Sequence, residues 1–168
     1  MNPHGRRRIQ LHQVPAEIEP KAGTYSLLFE CDTPSEVSVG RLGRLKIKLG
    51  VYCYVGSALG SGGVRARVKR HLTPVTNKHW HIDYVRESLR LTRIMFTYSD
   101  RRLEHAWARA LLRLSEGEPA MEGFGASDCH CPAHLIFFRG WPDRVQFGET
   151  LVGASPRAAV HHEILIAK

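Results

Sequence analysis

Past residue 22 the chain switches between two spacings of apolar side chains. "GTYSLLFEC", residues 23–31, places Tyr25, Leu27 and Phe29 on one side of a period-two pattern and predicts a strand. In "VGRLGRLKIKLG" Leu45, Ile47 and Leu49 face one way and Arg44, Lys46 and Lys48 the other, which predicts a strand with a basic stripe. "VYCYVG" sets Val51, Cys53 and Val55 on one face and Tyr52 and Tyr54 on the other. Three adjacent antiparallel strands are the expected product.

The bend "SALGSGG" then gives way to helical spacing. Val64, Val68 and Leu72 recur every four residues and predict a short helix on which Arg67 and His71 sit one turn apart. "HWHIDYVRESL" continues as a helical segment through Ile82, Val85 and Leu89, and "LTRIMFTYS" alternates as a strand. A longer helix is expected over 101–115, with Asp100 as its cap, Leu103, Trp107, Ala110, Leu111 and Leu114 inward, and Gly117 beyond its end. "HLIFF" and "RVQFG" read as two late strands, and "SPRAAVHHEILIAK" as a terminal helix. The expected class is α+β: a small, roughly three-stranded antiparallel central sheet flanked by helices, with extra C-terminal strands and a terminal helix. Residues 1–22 carry "GRRRIQLHQ" and three prolines without a period. They read as a flexible basic leader before one domain spanning 23–168.

Composition narrows the function. With 168 residues, 43% of them hydrophobic, the chain can bury one sizeable core. No apolar run approaches the roughly 18 residues of a membrane span, and the N-terminus has no signal-peptide pattern. A soluble, cytoplasmic protein with no membrane partner is expected. The four cysteines (Cys31, Cys53, Cys129, Cys131) are too sparse for a disulfide framework and suit a reducing compartment. Lys and Arg number 24 against 16 acidic residues, and the excess is localised. Between Val37 and Ile82 there is no Asp or Glu, while nine cations fall in that interval. Such a face favours a polyanion, here nucleic acid, without reading its sequence.

Four short elements then stand in a recognisable order: "GTY" at 23–25, "YVG" at 54–56, an Arg-x-x-x-His step from Arg67 to His71, and Glu104 on a later helix. Together they resemble the GIY-YIG nucleases over nearly everything after Ala22. The longer strings "VGRLG", "YVGSALG", "HWHIDY" and "GFGASDCHCPAHL" resemble a stand-alone bacterial and archaeal branch of that superfamily. The chain departs from the pattern in three places. There are 28 residues between Tyr25 and Tyr54, Thr24 and Val55 replace isoleucine, and no asparagine follows Glu104.

The resemblance implies a metal-dependent endonuclease that hydrolyses DNA phosphodiesters, a class used in DNA repair and processing. It implies Glu104 as the ligand of Mg²⁺ or Mn²⁺, Arg67 as the group that forks onto the scissile phosphate, and Tyr25 and Tyr54 beside the attacked phosphorus. Either tyrosine can accept the water's proton. An ordinary phenol, with a pKa of about 10, needs a nearby cation to do so at neutral pH. Lys46, Lys48, Arg65, Arg70, His71 and His81 are the candidate phosphate contacts, with His79 beside them. Asp83 reads either as a second metal ligand or as a helix cap and ion-pair partner. In "SDCHCPAH", Cys129, Cys131 and His134 are soft ligand types suited to Zn²⁺, although Cys-x-Cys-x-x-His is no standard zinc spacing. Their alternative is packing beside a tight turn. A second reading of the whole chain is a nucleic-acid-binding module that keeps the scaffold without turnover.

Overall fold

In a computed structural model of the protein, residues 14–157 and 162–166 are described. In chain order their elements are β1 (Gly23–Cys31), β2 (Ser35–Val39), β3 (Gly43–Ile47), β4 (Gly50–Ala58), α1 (Gly63–Leu72), α2 (His81–Val85), β5 (Arg90–Tyr98), α3 (Glu104–Leu111), β6 (Glu118–Pro119), β7 (Leu135–Phe138), α4 (Arg144–Gly153) and β8 (His162–Leu165). The class is mixed α+β. The main sheet is six-stranded in the order β6-β7-β4-β1-β5-β8, with every pair antiparallel. Strands β2 and β3 form a separate antiparallel pair.

Strand β1 occupies the centre because almost every one of its residues is buried, so it can accept cover on both faces. On one face Tyr25, Leu27, Phe29 and Tyr52 pack with Val64 and Val68 of α1, Ile82 and Val85 of α2, and Leu45 and Ile47 of β3. On the other, Leu28, Val51, Cys53 and Val55 pack with Trp107 and Leu111 of α3 and Phe147 and Leu151 of α4. The two faces of "VYCYVG" thus end in different cores, as the alternation predicts.

Several expectations are corrected. The basic-stripe strand is not in the central sheet: β3 pairs with β2, because its apolar face, Leu45 and Ile47, packs onto the sheet's surface instead of joining its edge. The neighbours of β1 and β4 are β5 and β7. "RVQFG" is the start of helix α4. The Asp143 carboxylate accepts a hydrogen bond from Gln146 N at 2.8 Å, capping the helix, and Phe147 and Leu151 turn inward one turn apart. The expected terminal helix is, where described, the strand β8, which pairs Ile164 with Ile94 of β5; residues 158–161 and 167–168 lie outside the described residues. Helix α3 is shorter than its pattern, and Leu103, not Asp100, stands at its N-cap without a side-chain cap. Finally, residues 14–22, most of them exposed, are tied to the core at Ile18. Ile18 is fully buried, and Arg65 Nη1 donates to Ile18 O at 2.9 Å. The rest of the expected leader, residues 1–13, lies outside the described residues. Among the described residues, no helix is long and apolar enough to cross a membrane.

Candidate active site

At one end of the sheet, α1 approaches from one face and the first turn of α3 from the other. Between them lies an open cleft of about 360 Å³ lined by Tyr25, Tyr54, Arg67 and Glu104, with Trp80, His81, Arg102 and His134 around them. Four residues spread over 80 positions of sequence therefore share one cavity.

The tyrosines meet through register. Tyr25 sits directly across from Gly56, and Leu27 across from Tyr54, so both rings lie on one face with centroids 6.5 Å apart. Glycine is required at 56. A Cβ there would fall 2.5 Å from the Tyr25 hydroxyl, so the absence of a side chain lets that ring lie across β4. A second glycine sets the helix. Gly63 has φ of +52°, a Cβ on it would fall 2.1 Å from Lys21 O, and Val64 N donates to that same oxygen at 2.9 Å. This contact anchors the start of α1 and fixes where Arg67 emerges one turn later.

Arg67 is half-buried and stacks on the Trp80 ring at 4.7 Å, with no acidic partner among the described residues. The opposing carboxylate comes from Glu104, the first residue of α3, where the helix dipole favours an anion. Glu104 is buried. Its Oε1 lies 3.5 Å from Arg102 Nη1 and 3.6 Å from His105 Nε2, while Oε2 is buried without a hydrogen-bond partner among the described residues. A buried, unpaired carboxylate oxygen is costly to maintain and fits a ligand that would satisfy it. The donor is hard oxygen, the type that suits Mg²⁺ or Mn²⁺.

Both phenols stay neutral at physiological pH. Burial pushes Tyr25 well above its ordinary value, with the neighbouring Tyr54 adding to this, while Arg67 and Arg70 pull the other way. Burial likewise raises Tyr54 to about 12, opposed by the same two cations. Arg67 thus favours the phenolate of either tyrosine, as expected, but burial outweighs it. The two hydroxyls differ in partnership. Tyr25 shares a 2.8 Å hydrogen bond with His71 Nε2, whereas the half-buried Tyr54 hydroxyl has no protein partner among the described residues.

Of the expected phosphate contacts, the cleft takes in His81 alone, together with the flanking His79. The others are engaged elsewhere. His71 is buried beneath Tyr25, and burial together with Arg86 and Arg70 lowers its pKa to about 3. Arg70 makes a bidentate pair with Asp83 at 2.8 and 2.7 Å. Arg65 holds the 14–22 segment, and Lys46 and Lys48 line a groove on the separate β2–β3 pair, where Lys48 meets Glu118 at 3.4 Å. Asp83 is a cap and ion-pair partner: Oδ2 also accepts from His79 N and Trp80 N, both at 2.9 Å. Burial acts to raise this carboxyl, but the Arg70 and backbone donors outweigh it and hold it below its ordinary range.

Sequence reasoning missed Trp80 and Arg102. Trp80 lies under both Arg67 and Arg70, at 4.7 and 3.8 Å, and links the α2 cap to the cleft. The "HWHIDY" string holds Trp80, and Arg102 precedes Glu104 by two positions, but neither placement follows from spacing.

The arrangement is a mixed-charge polar cleft at the end of an antiparallel sheet, with a carboxylate, a guanidinium and two phenols converging on it. The chain belongs to the family described as domain of unknown function DUF123, whose model matches residues 24–152. No curated protein and no solved structure matches the chain.

Proposed function

We propose that the protein is a divalent-metal-dependent nuclease that hydrolyses phosphodiester bonds in DNA, on the pattern of the GIY-YIG enzymes its motifs resemble. The observation that carries this reading is the buried, unpartnered Oε2 of Glu104 in the same cleft as Arg67, Tyr25 and Tyr54. In-line hydrolysis needs an oriented water, relief of charge on the non-bridging oxygens and stabilisation of the departing 3′ oxygen. Glu104 is the residue that would hold Mg²⁺ or Mn²⁺, and such an ion supplies charge stabilisation at the leaving oxygen. Arg67, with no acidic partner among the described residues and stacked on Trp80, forks onto the phosphate as its charge builds. Tyr54, whose hydroxyl has no protein partner among the described residues, orients the attacking water by hydrogen bonding. Tyr25 is tied to His71 and supports the Tyr54 side of the cleft.

The test is nicking of supercoiled plasmid DNA by the purified full chain in Mg²⁺ or Mn²⁺. Glu104→Gln, Arg67→Ala and Tyr54→Phe should each reduce the rate by about 100-fold or more, with circular dichroism unchanged. Cleavage by Glu104→Gln at the parental rate overturns the proposal. So does salt-sensitive DNA retention by the parent without metal-dependent cutting, the behaviour of a binding module.

A further inference from the structure

A second cluster of ligand-type side chains adjoins the cleft, which His134 helps to line, but stands outside the set used for hydrolysis. His105, Cys129 and His134 each offer one ligand atom, and these three atoms lie within 4.8 Å of one another. Cys129 Sγ lies 3.4 Å from His134 Nε2, and the His105 and His134 rings stand 5.5 Å apart, edge to face. In a tetrahedral zinc site with Zn–N of about 2.0 Å and Zn–S of about 2.3 Å, neighbouring ligand atoms are roughly 3.3–3.6 Å apart. The Cys129–His134 edge already has that length. Closing the remaining edges takes a side-chain adjustment on the order of 1 Å at His105.

The backbone holds these ligands in place. His134 N donates to Phe124 O at 2.7 Å and its carbonyl accepts from Val55 N at 2.9 Å, while Cys129 N closes a turn onto Ala126 O at 3.3 Å. His105 is carried on α3, one residue after Glu104. Cys131 does not belong to the cluster; it is buried, and its thiol is pushed up by that burial and by contact with Cys129.

The geometry points to a zinc site with His105, Cys129 and His134 as its three protein ligands and a solvent molecule in the fourth position. One thiolate and two imidazoles are a soft-to-borderline set that selects Zn²⁺ over Mg²⁺, which the Glu104 oxygen suits instead. Structurally, the site ties the first turn of α3, and with it Glu104, to the loop between β6 and β7. The inference does not depend on hydrolysis, since metal content and DNA cleavage are measured separately.

The test uses the full chain purified without chelator. Elemental analysis should find zinc in a one-to-one ratio with protein, and Co²⁺ in its place should give the charge-transfer absorption of a thiolate–cobalt bond. Cys129→Ser and His105→Gln should each weaken zinc binding by at least about 100-fold, the upper end of what an outer-shell partner alone contributes. Cys131→Ser, which alters a neighbour of Cys129 and not a ligand, should weaken binding less than either ligand variant. Chelation should lower the parent's melting temperature and not that of Cys129→Ser. Zinc in the parent no higher than in Cys129→Ser overturns the site, and an equal loss in Cys131→Ser overturns this ligand set. Should a variant fail to fold, the cobalt spectrum of the parent still decides: without a thiolate band, Cys129 is not a ligand.

Discussion

The Tyr25–His71 hydrogen bond shows how a single pair couples the candidate site to stability. His71 is buried, and its pKa falls from an ordinary value of 6.5 to about 3. Between those two values the unfolded chain binds a proton there that the folded chain does not. Stability contributed by this group is therefore complete above about pH 6.5 and is lost as the pH falls toward 3, at up to about 1.4 kcal/mol per pH unit. Urea midpoints at pH 7 and pH 4.5 should diverge for the parent and converge for His71→Gln, after allowance for other groups measured in both proteins. This histidine was expected on the nucleic-acid face because it follows Arg67 by one turn. That spacing places both on one side of α1, yet it cannot say that this side is partly roofed by Trp80 and closed by Tyr25.

At the scale of elements, the short helix α2 stands on one carboxylate. Asp83 is fully buried, takes both nitrogens of Arg70 and caps its own helix through His79 N and Trp80 N. Replacing the carboxylate by an amide keeps one acceptor oxygen for the backbone donors but leaves the Arg70 guanidinium facing an N–H donor and without its counter-charge. Asp83→Asn should thus cost about 3 kcal/mol in chemical denaturation and, by loosening Trp80, reduce any activity that depends on Arg67. The alternatives for Asp83 were both visible in the chain, but which one held depended on Arg70, thirteen residues away. Strands β1, β4 and β5 were legible from alternation, β7 from its short apolar run, and α1 from its four-residue spacing. Where elements were misread, a local signal was outweighed: "RVQFG" has a strand's composition, yet Asp143 caps a helix there and leaves Val145 and Val152 exposed. The α3 pattern outruns its helix because Leu114 stays buried in a turn beyond Leu111.

For the molecule as a whole, the positive charge concentrated between residues 37 and 82 is spread over separate grooves. Arg67 reaches the cleft, while Lys46 and Lys48 sit with the β2–β3 pair over a different groove. Lys46→Ala and Lys48→Ala should therefore change stability by less than about 0.5 kcal/mol and leave the nicking rate near that of the parent. A loss as large as that of Arg67→Ala would show that bound DNA spans both surfaces.

Alternation and spacing by themselves determined strands β1, β4 and β5, which residues share a face of each, and the residue types suited to phosphate chemistry, because these depend on neighbours within a few positions. Only the tertiary structure decided which cations and histidines remain available: Arg67 and His81 at the cleft, Arg65 and Arg70 in internal contacts, His71 beneath Tyr25. It also put His105 beside Cys129 and His134 and left Cys131 aside. Those outcomes depend on which sheet face each helix covers, and on the distance between groups far apart in the chain, which no local period encodes.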